Sequence, residues 1–189
     1  VSEMPSGPGV ISETRIAQIA ECVPPGVGSF LLTSKTVALD IIRQQRRCGT
    51  NTLQLVDAVS PAQLERLHTQ LPGTDLVQVI HVQNKSAIQE AVEIEPFVDA
   101  VLLDSGNPSG AVKTLGGTGK AHDWSISRKI VDVLDKPVWL AGGLNIGNVA
   151  RAIEQVQPFG VDVCSKIRTD GHLDPQKLRA FMKAVEKTF

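Results

Sequence analysis

The sequence contains no Lys/Arg-rich block, and its 19 basic and 20 acidic side chains leave a formal net charge of -1. Without a concentrated positive field there is no footprint for a nucleic acid or an anionic membrane surface. No apolar run approaches the roughly 20 residues that a membrane-spanning helix needs. The first residues also lack the charged-then-apolar pattern of a secretory leader. A cytoplasmic protein is therefore expected. Cysteine is scarce: Cys22, Cys48 and Cys164 are odd in number and lack metal-ligand spacing, so reduced thiols and no metal site are expected.

What is present is a single recurring pattern. With 189 residues, 42% of them hydrophobic and 21% charged, the chain can bury one core, and a single domain over 1–189 is expected. A short apolar run followed by a segment with helical apolar spacing recurs six times. "GSFLLTS" (28–34) precedes "TVALDIIRQQRR" (36–47), and "NTLQLVD" (51–57) precedes "SPAQLERLHTQL" (60–71), where Ser60 can cap a helix starting with Pro61. "TDLVQVIHV" (74–82) precedes "SAIQEAVEI" (86–94), and "VDAVLLDS" (98–105) precedes "DWSISRKIVDVL" (123–134). "KPVWLAGG" (136–143) precedes "NIGNVARAIEQV" (145–156), and "FGVDVCS" (159–165) precedes "DPQKLRAFMKAVEKTF" (174–189). One more helix, "SETRIAQIAECV" (12–23), leads the series.

Strands with little polar alternation, each followed by a helix, indicate an α/β fold with a parallel sheet covered by helices. The spacing is near constant and is stretched once, by "GNPSGAVKTLGGTGKAH" (106–122). A closed eight-stranded barrel and a doubly wound sheet both fit this pattern.

In either fold the chemistry sits at the carboxyl ends of the strands. There the sequence places His81, Asp104, Gly142, Gly143, Asp162, Cys164 and Ser165. Asp104 and Asp162 end apolar strands, where desolvation or a nearby phosphate raises a carboxyl pKa toward the range of a general acid. Gly142 and Gly143 have no Cβ, so their N–H groups can approach a ligand. A helix beginning near Asn145 would add unpaired donors, an arrangement that suits phosphate.

"VLLDS", "GGTGKAHDWS", "VWLAGGLNIGNVARAI" and "PFGVDVCS", in this order and spacing, resemble the C-terminal half of phosphoribosylanthranilate isomerases of tryptophan biosynthesis. The match is strong over 98–165. It thins toward the N-terminus, where "VISETRIAQIAECVPPGV" and "NTLQLVD" are similar to the family's second helix and fourth strand. The resemblance implies a (β/α)8 TIM barrel and an Amadori rearrangement of an N-linked phosphoribosyl amine, with no metal and no redox cofactor. It implies that Asp104 is the general acid for the ribose ring oxygen. It also implies that loops after the seventh and eighth strands, here with Gly142, Gly143, Asn145 and Ser165, hold the phosphate, and Lys166, a charge family members usually lack there, is a further phosphate-binding candidate. Asp162 and His81 are the further substrate-binding candidates.

The departures from the family pattern are specific. The family's base is a cysteine at the end of its first strand, and nothing in 1–27 matches that strand. The alignment sets Val1 near the end of the second strand, so the sequence is expected to run from there through helix eight as a barrel incomplete at its N-terminus. Its open edges would be closed by an upstream segment in a monomer or by a homodimer. The family's "QLHG" reads "QLVD", with Val56 in place of His, and its "SSGVE" reads "CSKIR", which introduces Lys166 and Arg168. Side-chain alternation puts Cys164 on the same face as Asp162, next to where the first strand would lie, and Cys164 becomes a second catalytic candidate. A non-catalytic phosphosugar-binding relative and an isomerase or lyase acting on another phosphosugar are the competing functional readings.

Overall fold

In the computed structural model the described residues are 1–4, 9–106 and 122–188. Helix α1 (Glu13–Cys22) is followed by β1 (Phe30–Thr33), α2 (Ala38–Cys48), β2 (Thr52–Leu55), α3 (Pro61–Gln70), β3 (Asp75–His81) and α4 (Ser86–Ile94). Then come β4 (Ala100–Asp104), α5 (Trp124–Val133), β5 (Val138–Leu140), α6 (Val149–Val156) and β6 (Gly160–Val161). The chain ends in a small antiparallel hairpin, β7 (Arg168–Thr169) and β8 (His172–Leu173), and helix α7 (Pro175–Glu186). Residues 107–121, which carry most of the 106–122 insertion and of "GGTGKAHDWS", lie outside the described residues.

Strands β1 to β6 form one parallel sheet whose spatial order is the chain order. A doubly wound sheet reverses its order at a switch point and carries helices on both faces. Here no reversal occurs, and the helices cover one face only. Leu31, Leu53, Leu55, Leu76, Ile80 and Leu103 face the helices in the main core. The alternate positions Val77, Val79, Ala100 and Leu102 join Val56 and Ala141 in a separate inner cluster. This is the strand-by-strand division of a barrel wall.

The helices follow from their apolar spacing. In α6, Val149, Ala152, Ile153 and Val156 are all buried, at the i, i+3, i+4, i+7 positions of a single stripe. The valine and isoleucine side chains each contribute about 1.5–3 kcal/mol when fully removed from water. Ser12, Asp123 and Asp174 cap α1, α5 and α7 by accepting from backbone N–H groups two or three residues on. Ser60 precedes Pro61 as expected, but its side chain makes no cap bond. The expected helix start near Asn145 is also corrected: α6 begins at Val149, because Asn145 and Asn148 close a turn with their side chains.

Beside β1, Ser2 donates both its N–H and its hydroxyl to Leu32 O, at 3.0 and 2.8 Å, so the first residues run along that edge of the sheet. No helix among the described residues is long and apolar enough to cross a membrane.

At the amino ends of the strands the inner face is filled by aromatic rings. Trp139 meets Phe30 and Phe159 edge-on, with centroids 6.1 and 5.3 Å away. Gly160, paired with Trp139 across the sheet, is the residue that makes room for this ring: an added Cβ would stand 2.6 Å from Trp139 Cζ3. Because two other rings flank the indole, Gly160→Ala is expected to destabilise the fold by about 1–3 kcal/mol through overpacking. An unaltered urea midpoint in this variant would contradict that account.

Candidate active site

The opposite, carboxyl end of the sheet gathers the polar side chains. In β4 the residues Ala100, Leu102 and Asp104 share the inner face, and Asp104 is the last of them, 9% exposed. Burial raises its carboxyl pKa above the usual range. The Ser105 N–H, which donates to Asp104 Oδ1 at 2.7 Å, opposes that rise, as does His81 when charged.

Strand β5 ends in the glycine turn. The Ala141 N–H donates to Leu103 O, which brings the next residue, Gly142, alongside the end of β4. Gly142 and Gly143 both adopt the left-handed region, with φ of 84° and 68°. A Cβ on Gly142 would lie 3.0 Å from Ser105 N, Ser105 Oγ and His122 Nδ1, so the backbone approaches β4 more closely than a side chain would allow. Asn145 and Asn148 each donate a side-chain N–H to Gly143 O, at 3.2 and 3.1 Å. The following peptide is planar and trans, so the Leu144 N–H points away from those asparagines. The Leu144 side chain is buried in the main core, and this leaves its main chain to face the cavity it lines.

After β6 the chain alternates once more. Val161 and Val163 pack on the main core, and Asp162 and Cys164 line the cavity together with part of Val163. The Asp162 N–H donates to Leu140 O at 2.8 Å and extends the ladder by one rung. Its carboxyl is reached by solvent from the open side but is crowded along the inner wall. Desolvation, and then the charge of Asp104, push its pKa up to about 6.

That shift has a defined sign. The folded protein holds this proton more tightly than the unfolded chain, so the stabilisation is complete below about pH 4 and is lost as pH rises through 6. The urea midpoint of the wild type, measured against that of Asp162→Asn, is expected to fall between pH 4 and 6.5. A difference that stays level over that window would show an ordinary carboxylate.

One cavity thus unites Asp104, Gly142, Gly143, Asp162, Cys164 and Ser165. Asn145 stands behind the turn as a brace, and Lys166 is exposed on the short 3-10 turn Ser165–Ile167, next to the lining. His81 is paired in register with Asp104 but opens onto a neighbouring cleft with Asp57, Gln83 and Glu90. Its Nε2 lies 3.0 Å from Val56 O. A carbonyl only accepts, so Nε2 carries a proton, while Nδ1 is buried without a hydrogen-bond partner among the described residues.

Sequence reasoning missed Ser105, His122 and Ser127. The hydroxyl of Ser127, wholly buried on α5, pairs with His122 Nε2 at 2.6 Å. Burial pushes the imidazole pKa down to about 4, so the ring is neutral at working pH. The sequence signal was the polar group "HDWS" opening an otherwise apolar-periodic helix.

A family model for N-(5'phosphoribosyl)anthranilate (PRA) isomerase matches residues 7–184. The N-(5'-phosphoribosyl)anthranilate isomerase of Methanocella arvoryzae is 34% identical over 182 residues, which are 96% of this chain and 83% of that one. The enzyme of that name from Haloarcula marismortui is 37% identical over 167 residues, 87% of this chain and 72% of its own. Among solved structures, the phosphoribosyl anthranilate isomerase of Thermotoga maritima superposes with a TM-score of 0.80 at 26% identity, covering 94% of this chain and 82% of that one.

Proposed function

The chain belongs to the N-(5'-phosphoribosyl)anthranilate isomerase family, and from that premise we propose that it converts N-(5'-phosphoribosyl)anthranilate to its ketose isomer in tryptophan biosynthesis. The observation that carries the reading is the single cavity in which a buried carboxyl, Asp104, faces a glycine turn. A phosphosugar bound there sets its phosphate against the main chain of Gly142, Gly143 and Leu144 and the Ser165 hydroxyl, with Lys166 adding positive charge beside Ser165. Asn145 acts by holding the turn.

The negative charge of the phosphate further favours the protonated form of Asp104. Asp104 gives its proton to the ribose ring oxygen, the ring opens to a protonated Schiff base, loss of the C2 proton gives an enolamine, and this becomes the ketose as C1 gains a proton and the C2 hydroxyl loses one. Asp162, on the same wall, and His81, in the next cleft, hold the substrate hydroxyls. Cys164 takes the C2 proton. Cys164→Ser is therefore expected to lower kcat by about 10²-fold or more, since a hydroxyl is a poor base. Retained turnover would move that role to another group.

The reaction is tested by adding freshly formed phosphoribosylanthranilate and following the loss of its fluorescence. If the fluorescence persists while inorganic phosphate still binds, the protein is a phosphosugar-binding relative without this activity.

A further inference from the structure

Resting on the isomerase reading, we propose that His122 is a positioning residue: it fixes the glycine turn after β5 in register with the end of β4, and so sets the distance between the substrate phosphate and the acid Asp104. The ring sits between two elements. On one side Nε2 pairs with the hydroxyl of Ser127, a residue of α5 with no exposed surface. On the other side Nδ1 is buried without a hydrogen-bond partner among the described residues and stands beside Gly142, where an added Cβ would lie 3.0 Å from it.

That same spot lies 3.0 Å from Ser105 N and Oγ, and the Ser105 N–H is the group that donates to Asp104 Oδ1. A continuous line of contact therefore runs from α5 through Ser127, His122, Gly142 and Ser105 to the acid. The neighbouring Asp123 acts on the ring through its charge, which opposes part of the fall in the imidazole pKa, while its carboxylate caps α5 by accepting from the Ser125 N–H at 2.9 Å. Trp124, buried one residue later, has the Arg151 guanidinium 5.4 Å over its ring, and this contact ties the start of α5 to α6, the helix that leaves the glycine turn. The wedge is uncharged, and its outline does not change with pH near neutrality.

The kinetic consequence follows from what each group does. The turn holds phosphate equally in the ground and transition states, whereas Asp104 acts only in the transition state. A change in their relative placement therefore falls on kcat and spares KM.

The test uses the full-length protein and four variants: His122→Phe, His122→Gln, Ser127→Ala and the double variant His122→Phe/Ser127→Ala. His122→Phe is expected to lower kcat about 10-fold, with KM and the inhibition constant of inorganic phosphate within about twofold. His122→Gln, whose amide nitrogen occupies the Nε2 position and still reaches Ser127, is expected to regain most of kcat. Ser127→Ala should move kcat in the same direction by less, and the double variant should be no worse than His122→Phe alone, because Ser127 acts only through the ring. Unchanged kcat in His122→Phe, additive losses in the double variant, or a fall in melting temperature with kcat intact would each overturn the proposal. A wild type that does not turn over phosphoribosylanthranilate removes the isomerase reading, and this role with it.

Discussion

Asp104→Asn is expected to lower kcat by roughly 10²–10⁴-fold, while the affinity for inorganic phosphate stays close to that of the wild type. The amide has the shape of the carboxyl, and its oxygen can still accept from the Ser105 N–H now bonded to Asp104 Oδ1. The fold is therefore preserved, and removing a buried ionisable group costs no stability. What disappears is the transferable proton. The proposed phosphate cradle is main chain and hydroxyl, drawn from the cavity-lining Gly142, Gly143, Leu144 and Ser165, and none of these groups depends on the Asp104 proton. Parallel assays of turnover and of competitive inhibition by phosphate separate the two effects. A variant with wild-type turnover would transfer the acid role to Asp162, the other carboxyl in the cavity.

Gly142→Ala combines two costs that are normally met separately. The left-handed φ of 84° strains any residue with a Cβ, and the new methyl would press on Ser105 N, a main-chain atom that cannot swing aside. The turn must shift, and a displacement of about 1 Å between reacting groups is worth on the order of 10²-fold in rate, so kcat/KM is expected to fall by about that factor. Gly73→Ala is the matched control. Its φ of 81° imposes similar backbone strain, but a Cβ there meets nothing within 4 Å. That variant should lose about 1 kcal/mol of stability with full activity. If the two variants behave alike, crowding at Gly142 has no part in the site.

Much of this architecture is visible in the sequence, and the reason is burial. Parallel strands covered on both sides read as apolar runs, so "AVLLD" and "VWL" stand out without structural help. A carboxylate that ends such a run, as Asp104 does, is conspicuous for the same reason. Closure was less legible, because strand–helix alternation is common to barrels and doubly wound sheets; the family resemblance decided it, and the unreversed strand order agrees. The start of α6 was misread because Asn145 and Asn148 are as suited to a side-chain-closed turn as to a helix cap, and only the carbonyl of Gly143 shows which they do. For His122 the polar group "HDWS" marked the place in the sequence but not what the ring touches. Its role exists only through Gly142, twenty positions further along, and through a serine that reads as an ordinary helix residue. The β7–β8 hairpin did carry a signal, the Asp170–Gly171 pair with both residues at positive φ.

The cavity draws its wall from three successive strand ends, β4, β5 and β6, and the last of these is held to the sheet by the shortest ladder, Trp139 with Gly160 and Leu140 with Val161. Detachment of this terminal unit would leave the β1 to β5 ladder paired, uncover α6 where α7 and Phe181 pack, and carry Asp162, Cys164 and Ser165 away from Asp104. With the proposed site, local opening at one end of the chain is expected to abolish catalysis before the domain unfolds globally. Heat or denaturant should silence the enzyme before most of its secondary structure is lost, and a ligand that bridges the glycine turn and Ser165 would fasten this last unit to the rest.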